Sequence, residues 1–159
     1  MDASGVATIA TGDIDAGSSD ACGIASLSLD DTDFTCVDIG ANTVTLTVTD
    51  NNSNTTTCTA TVTIEDNVDP TAVCQDVTVQ LDALGNGSIT TGDIDNGSFD
   101  ACGAVTLSLD QNAFTCSDLG ANTVTLTVTD NNSNTSICTA IATVEDNINP
   151  LIVCPMDYN

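Results

Sequence analysis

Two tandem antiparallel β-sandwich repeats, an all-β fold, are what this sequence predicts, and three observations predict it. Threonine and aliphatic residues alternate with a period of two, as in "NTVTLTVTD" at 122 to 130. Turn residues (Gly, Asn and Asp) punctuate the alternation at short intervals, and no stretch shows helical spacing. The whole pattern also recurs with a period of 80. Cys22, Cys36, Cys58 and Cys74 reappear as Cys102, Cys116, Cys138 and Cys154, and "GANTVTLTVTDNNSNT" stands at both 40 to 55 and 120 to 135.

The acidic, Pro-ended segments "EDNVDP" (65 to 70) and "EDNINP" (145 to 150) have linker composition and divide the chain. Residues 1–68 are expected to form a first repeat lacking its opening strand, 69–148 a complete repeat, and 149–159 the opening strand of a following repeat. Met1 falls in the register of Leu81, a mid-repeat position. Within the complete repeat, strand A over 73–81 runs down, B over 87–91 up, and C over 104–109 down. After a short strand around Phe114, F over 122–129 runs up, with Val124, Leu126 and Val128 on one face and Thr123, Thr125, Thr127 and Thr129 on the other. Strand G, 136–144, returns down. Its first-repeat counterpart "CTATVTIED" turns Cys58, Ala60, Val62 and Ile64 inward. About seven such strands in a unit of this size read as a small immunoglobulin-like sandwich.

A unit this small, in a chain with 3% aromatic residues, is short of core and expects staples. Eight cysteines without a histidine read as disulfides of an oxidising compartment. A four-cysteine zinc site needs close pairs, and the nearest two cysteines, Cys22 and Cys36, are fourteen apart. Strands A and G are neighbours in such a sandwich, which favours Cys74 with Cys138 and leaves Cys102 with Cys116. The first repeat then pairs Cys22 with Cys36, while Cys58 needs a first-strand cysteine that this repeat lacks.

The net charge is −23, from 23 acids and no Lys, Arg or His. Phosphate binding needs cations, so nucleic acid is excluded as a partner and an anionic membrane is disfavoured. No apolar run approaches the roughly 20 residues that span a bilayer. Any secretion signal is expected outside the sequence. Without histidine or lysine there is no Ser-His, Cys-His or Ser-Lys arrangement, so catalysis is not expected.

Strand order sends the loop "DIDNGSFDA", the loop "DNNSN" and the incoming linker to one end of a repeat. Asp66 and Asp69 are thereby expected to meet Asp93, Asp95, Asp100, Asp130 and Asn132. The first repeat offers Asp13, Asp15, Asp20, Asp50 and Asn52 in the same register, and the linkers add Glu65, Glu145 and Asp146. Converging carboxylates repel unless a cation lies among them, and hard oxygen ligands from several loops are what Ca²⁺ takes. The alternative for each is a turn in which the Asp or Asn side chain bonds local backbone. The spacing is not that of an EF-hand, and the stricter octahedral geometry of Mg²⁺ makes it the poorer candidate.

At "DP-x3-C", "GSFDACG", "FTCSDLGANTVTLTVTDNNSN" and "C-x-A-x-x-T-V-E-D" the chain resembles the hyalin-repeat (HYR-like) modules, in the tandem form found in secreted surface adhesins and filaments of Bacteroidetes-type bacteria. The resemblance covers essentially the whole chain. It implies an extracellular stalk or adhesive array of β-sandwich repeats, with the first-strand cysteine pairing to the one after "DNNSN".

Head-to-tail assembly would supply the missing strand. Residues 150–159 of one subunit add to the first repeat of the next, where Cys154 of the neighbouring subunit bridges to Cys58. A contact of this kind does not close and yields a filament. The other account is a longer tandem array whose covalent chain supplies the strand. A structural filament or stalk is the expected role. An adhesin for a glycan or protein would want an exposed aromatic platform, for which only Phe99 serves, with Ser19 at the matching position. A calcium-responsive matrix protein is a third possibility. Outward threonines, and N-x-S/T sequons at Asn51, Asn54, Asn86, Asn96, Asn131 and Asn134, permit covalent glycans.

Overall fold

The computed structural model describes residues 1–154. They form an all-β structure that divides into two compact units. Unit 1 comprises Met1–Asp69 with the loops Asp100–Ala104 and Asn131–Asn134, and unit 2 comprises Pro70–Phe99, Val105–Asp130 and the chain from Thr135 on.

In unit 1, strands β2 (Ile24–Leu29), β4 (Gly40–Asp50) and β5 (Thr55–Ile64) form an antiparallel sheet in the order β2-β4-β5. A second antiparallel pair joins β1 (Val6–Thr8) to β3 (Asp33–Thr35). The period-two alternation does what the pleat requires: Val44 and Leu46 are buried, with Thr43 and Thr45 on the opposite face. Phe34, the large side chain of β3, closes the core against Val44 and Ile64. The β4–β5 hairpin turns through Ser53 at φ +67°, an uncommon conformation for a residue with a Cβ. The carboxylate of Asp50 steadies it by accepting the backbone N–H groups of Asn52 and Asn54, each at 2.8 Å.

Unit 2 repeats this plan and adds a strand. β6 (Val77–Gln80), β11 (Thr135–Glu145), β10 (Gly120–Thr129) and β8 (Thr106–Leu109) form one sheet in that order, and β7 (Asn86–Ser88) pairs with β9 (Ala113–Thr115). β6 lies parallel to β11, with Val77 opposite Ala142 and Val79 opposite Val144, so strands A and G are the neighbours that strand order predicts. The core is correspondingly larger, running from Val79 and Leu81 through Ile94 and Phe114 to Val124, Leu126, Val128, Ala140, Ala142 and Val144.

Two elements differ from expectation. Strand A is split: Thr71, Val73 and Gln75 exchange backbone hydrogen bonds with the Ile94–Phe99 segment, and only from Val77 does the chain join β11. Strand B ends at Ser88, and Thr91–Ile94 winds into a single helical turn that periodicity does not show. One turn is too short to display a period. It is set instead by Asp93, whose carboxylate accepts the Thr90 N–H at 2.7 Å, and the turn drives Ile94 fully into the core.

Among the described residues two disulfides are formed. Cys74 is joined to Cys138, with Cα atoms 5.8 Å apart, as the A–G adjacency implies. Cys36 is joined to Cys102, with Cα atoms 5.0 Å apart, so the expected Cys22–Cys36 and Cys102–Cys116 pairs do not form. The reason is geometric. Cys22 lies beside the Asp50 end of β4, where its carbonyl accepts the Asn51 side-chain amide, whereas Cys36 opens the turn that leads into the Gly40 end. Ten residues of strand, roughly 33 Å at about 3.3 Å each, separate those ends, far beyond the ~7 Å limit for bridging Cα atoms. Among the described residues Cys22, Cys58, Cys116 and Cys154 are exposed free thiols.

Candidate functional site

Most of the sequence-predicted oxygen ligands hold turns. Asp93 accepts the Thr90 hydroxyl at 2.7 Å as well as its N–H, and Asp13 accepts the Ala10 N–H at 2.8 Å in the equivalent turn. Asp95 takes the N–H groups of Ser98 and Gly97, and Asp15 that of Ser18. Asp20 accepts the Cys22 N–H at 2.7 Å. Asp50 receives the Asn54 side-chain amide at 2.8 Å in addition to its two backbone donors. Glu145 accepts the side-chain amides of Gln80 and Asn147, Glu65 that of Asn67, and Asp146 the Ile148 N–H. Asp69, Asn52 and Asn132 are exposed, and Asp130 is buried.

These donors hold several carboxyls below their ordinary range. The Thr90 hydroxyl and then the Thr90 N–H lower Asp93, and the Ser18 hydroxyl and N–H lower Asp15. Asp95 is lowered chiefly by the Ser98 hydroxyl against the opposing effect of burial, and Asp50 chiefly by the Asn54 amide. Each of these acids is satisfied within its own loop.

Asp66 is different. It is 6% exposed; one carboxylate oxygen accepts the Val68 N–H at 3.2 Å, while the other, Oδ2, is buried without a hydrogen-bond partner. Burying an unpaired carboxylate oxygen costs free energy unless a cation or a donor compensates. Within the same unit the carboxylates of Asp66 and Asp100 and the Sγ of Cys102 lie within 4.8 Å of one another. Cys102 is bonded to Cys36, so its sulfur is no thiolate and the donors are oxygen only. Asn134, which composition does not single out, fixes the backbone here by donating its side-chain amide to the Asp66 carbonyl at 3.1 Å. Of the expected ligands assigned to unit 1, Asp66 and Asp100 are thus brought together.

The second feature is an unpaired edge. In unit 1 β5 is the last strand of its sheet among the described residues, whereas its counterpart β11 is covered by β6. The consequence is legible position by position. Ile94, Val128, Ala140 and Ala142 are buried in unit 2, and their equivalents Ile14, Val48, Ala60 and Val62 are only half-buried. Cys58 on β5 is an exposed thiol where Cys138 on β11 is bonded to Cys74. Of the expected donor segment 149–159, residues 155–159 lie outside the described residues; Leu151, Ile152 and Val153 are 91%, 79% and 84% exposed and precede the thiol of Cys154. Among the described residues no helix is long and apolar enough to cross a membrane.

No protein-family model and no curated protein matches the sequence. Solved structures with which it shares shape include extracellular cadherin domains 1–4 of protocadherin gamma B7 (15% identity, TM-score 0.40, 78% of this chain and 42% of that one). An endo-fucoidan hydrolase of glycoside hydrolase family 107 gives 13% identity and a TM-score of 0.32 over 77% of this chain and 28% of that one. The fibronectin(III)-like modules of Clostridium thermocellum CbhA give 10% identity and a TM-score of 0.31 over 82% and 83%. The chain spans less than half the length of the first two. The strand order described above makes it two immunoglobulin-like β-sandwich units, each with a disulfide of its own.

Proposed function

We propose that this protein is a non-catalytic extracellular structural repeat that joins head to tail into a filament or stalk, stapled by disulfides and stiffened by Ca²⁺. One observation carries the reading: among the described residues unit 1 presents the unpaired edge of β5, a half-covered core and the thiol of Cys58, all at the place where unit 2 has its first strand and Cys74. The segment Leu151–Cys154 offers what is missing. Displaced by 80, it is the counterpart of Thr71–Cys74, in which Ala72 and Cys74 pack on the core of unit 2. Seated on another copy as Thr71–Cys74 sits against Ile94–Phe99, it would lie along residues 14–19 beside the open side of unit 1 and set Cys154 of the neighbouring subunit against Cys58 as Cys74 is set against Cys138. Because donor and acceptor sit on different parts of the chain, the contact propagates.

Calcium fits the orphaned Oδ2 of Asp66. Asp66 and Asp100 would hold it, and the bound ion would supply the positive charge that a chain without Lys, Arg or His cannot. Disulfides support an oxidising compartment, and so an extracellular one.

The test uses the purified chain in calcium under oxidising conditions. The reading expects filaments by electron microscopy and, in non-reducing electrophoresis, a ladder of subunit multiples that collapses on reduction. Monomers in both lanes with no filaments would overturn it.

A further inference from the structure

We propose that each junction between successive copies carries a second covalent bond, from Cys116 of one copy to Cys22 of the next, formed when the loop 20–24 seats in a groove of unit 2 beside Gly85. The inference rests on the head-to-tail reading and adds to it a specific interface.

The pattern is already made once, inside unit 1. There the loop Asp100–Ala104 is part of the unit, and Cys102 is bonded to Cys36 over the buried Gly5. The fit is close: at Gly5, whose φ is +72°, an added Cβ would lie 2.5 Å from Cys36 Sγ, 3.1 Å from Cys102 Sγ and 3.7 Å from Ala101 Cβ. Only glycine leaves room for that disulfide.

The seat recurs 80 residues on, without its plug. Gly85 has φ +76° and an added Cβ would lie 2.5 Å from Cys116 Sγ, as at Gly5, but meets no second sulfur and no alanine. Cys116 Sγ stands 3.8 Å from the Gly85 carbonyl, as Cys36 Sγ stands 3.7 Å from that of Gly5. In place of the loop there is a groove of about 630 Å³, lined by residues that include Asp82, Leu84, Gly85, Cys116, Asp146 and Leu151. Leu84 is 86% exposed beside it.

The plug recurs as well, without a seat. "DACG" stands at 20 to 23 and at 100 to 103. Both copies share one hydrogen bond: Asp20 accepts the Cys22 N–H at 2.7 Å and Asp100 the Cys102 N–H at 2.6 Å. Gly23 packs against the Asn51 side-chain amide as Gly103 packs against that of Asn131. The loop 20–24 thus carries the same sequence and the same Asp and Asn contacts around its cysteine, which is an exposed thiol; Gly23 at φ +98° would have to open toward the +159° of Gly103 on seating.

The direction agrees with the strand exchange. Displacing Cys36–Cys102 by 80 gives Cys116 with a position equivalent to Cys22 of the following copy, the same copy whose Cys58 receives Cys154. The docking also brings Asp20 of the following copy to Asp146 as Asp100 comes to Asp66. Chemically, two thiols lose two protons and two electrons to a small disulfide: Cys116–SH and Cys22–SH with oxidised glutathione give one protein disulfide and two reduced glutathiones.

Equal amounts of ¹⁵N-labelled and unlabelled chain are assembled in calcium and oxidised glutathione, cleaved at Asp and Glu because trypsin has no site, and mapped by mass spectrometry. A Cys22–Cys116 peptide of mixed isotope content is expected, and a C58S/C154S variant should still give a ladder that C22S/C116S/C58S/C154S loses. Filaments containing Cys58–Cys154 but with Cys22 and Cys116 as thiols, or joined without isotope mixing, would overturn this inference and leave the head-to-tail reading intact. A wild-type chain with neither bond would overturn both.

Discussion

A carboxylate oxygen of Asp66 lies within 4.8 Å of one of Asp100, in a chain without one Lys, Arg or His. Asp66 Oδ2 is buried and unpartnered, so a negative charge here costs free energy that a bound cation would offset. Calcium should therefore raise the melting temperature of unit 1. At a hundredfold excess over Kd the gain is about 2.7 kcal/mol, or roughly 10 °C or more for a unit of this size. In D66N that calcium-dependent shift should vanish, while the variant in a chelator should be at least as stable as the wild type. Calorimetry with and without chelator checks both, and an unchanged shift in D66N would remove Asp66 from the site.

The Cys74–Cys138 bond closes a loop of 64 residues in unit 2. In the chain-entropy model that is worth about 4 kcal/mol. Replacing both cysteines with alanine should lower the denaturant midpoint of unit 2 by a corresponding amount and leave unit 1 unmoved, as read by amide exchange resolved to each unit.

Ile14 and Ile94 occupy equivalent places in the repeat, but the first is half-buried and the second fully buried. Ile94→Ala should destabilise unit 2 by about 2–5 kcal/mol. In the unassembled chain Ile14→Ala should cost about 1 kcal/mol. Equal costs at the two sites in a monomer would mean that unit 1 is already closed.

A synthetic peptide of residues 149–159 should complete unit 1 in trans. Protection of the β5 amides against exchange is the measurement, and it should rise on adding the peptide and fall when Ile152 in it is replaced by Asp.

The turn-holding acids set the response to pH. Asp15, Asp30, Asp50, Asp82, Asp93, Asp95 and Asp110 are all lowered in the folded state by donors in their loops and neighbouring strands. An unfolded chain therefore takes up protons first, and their stabilisation is complete above the ordinary Asp value of about 3.9 and is lost as pH falls below it. The urea midpoint should decline from about pH 4 downward. In 1 M salt, where the Debye length is about 3 Å, general repulsion is screened and the decline should persist; a midpoint that rises on acidification in that salt would contradict the role assigned to these loops.

Alternation of Thr with Val, Leu and Ile was sufficient to place β4, β5, β10 and β11, because the pleat translates a period of two into alternating faces. On β5, however, only Ile64 of the expected inward set is buried: Ala60 and Val62 are half-buried and Cys58 is exposed, since no strand covers that edge among the described residues. Strand order was sufficient for Cys74 with Cys138, since β6 beside β11 follows from the topology. The split of strand A and the single helical turn at Thr91–Ile94 were not legible, being settled by hydrogen bonds over a few residues that leave no periodic trace. Cys22 and Cys36 stand at opposite ends of β4, and their pairing was expected only because assigning Cys74 to Cys138 leaves Cys102 with Cys116 and their counterparts. Packing overruled it, because a disulfide requires Cα atoms a few ångströms apart and answers to where loops meet, not to distance along the chain. So too with the acids: composition announced an excess of carboxylates, but only tertiary structure could sort those with N–H and hydroxyl donors in their own loops from Asp66, whose second oxygen is buried with none.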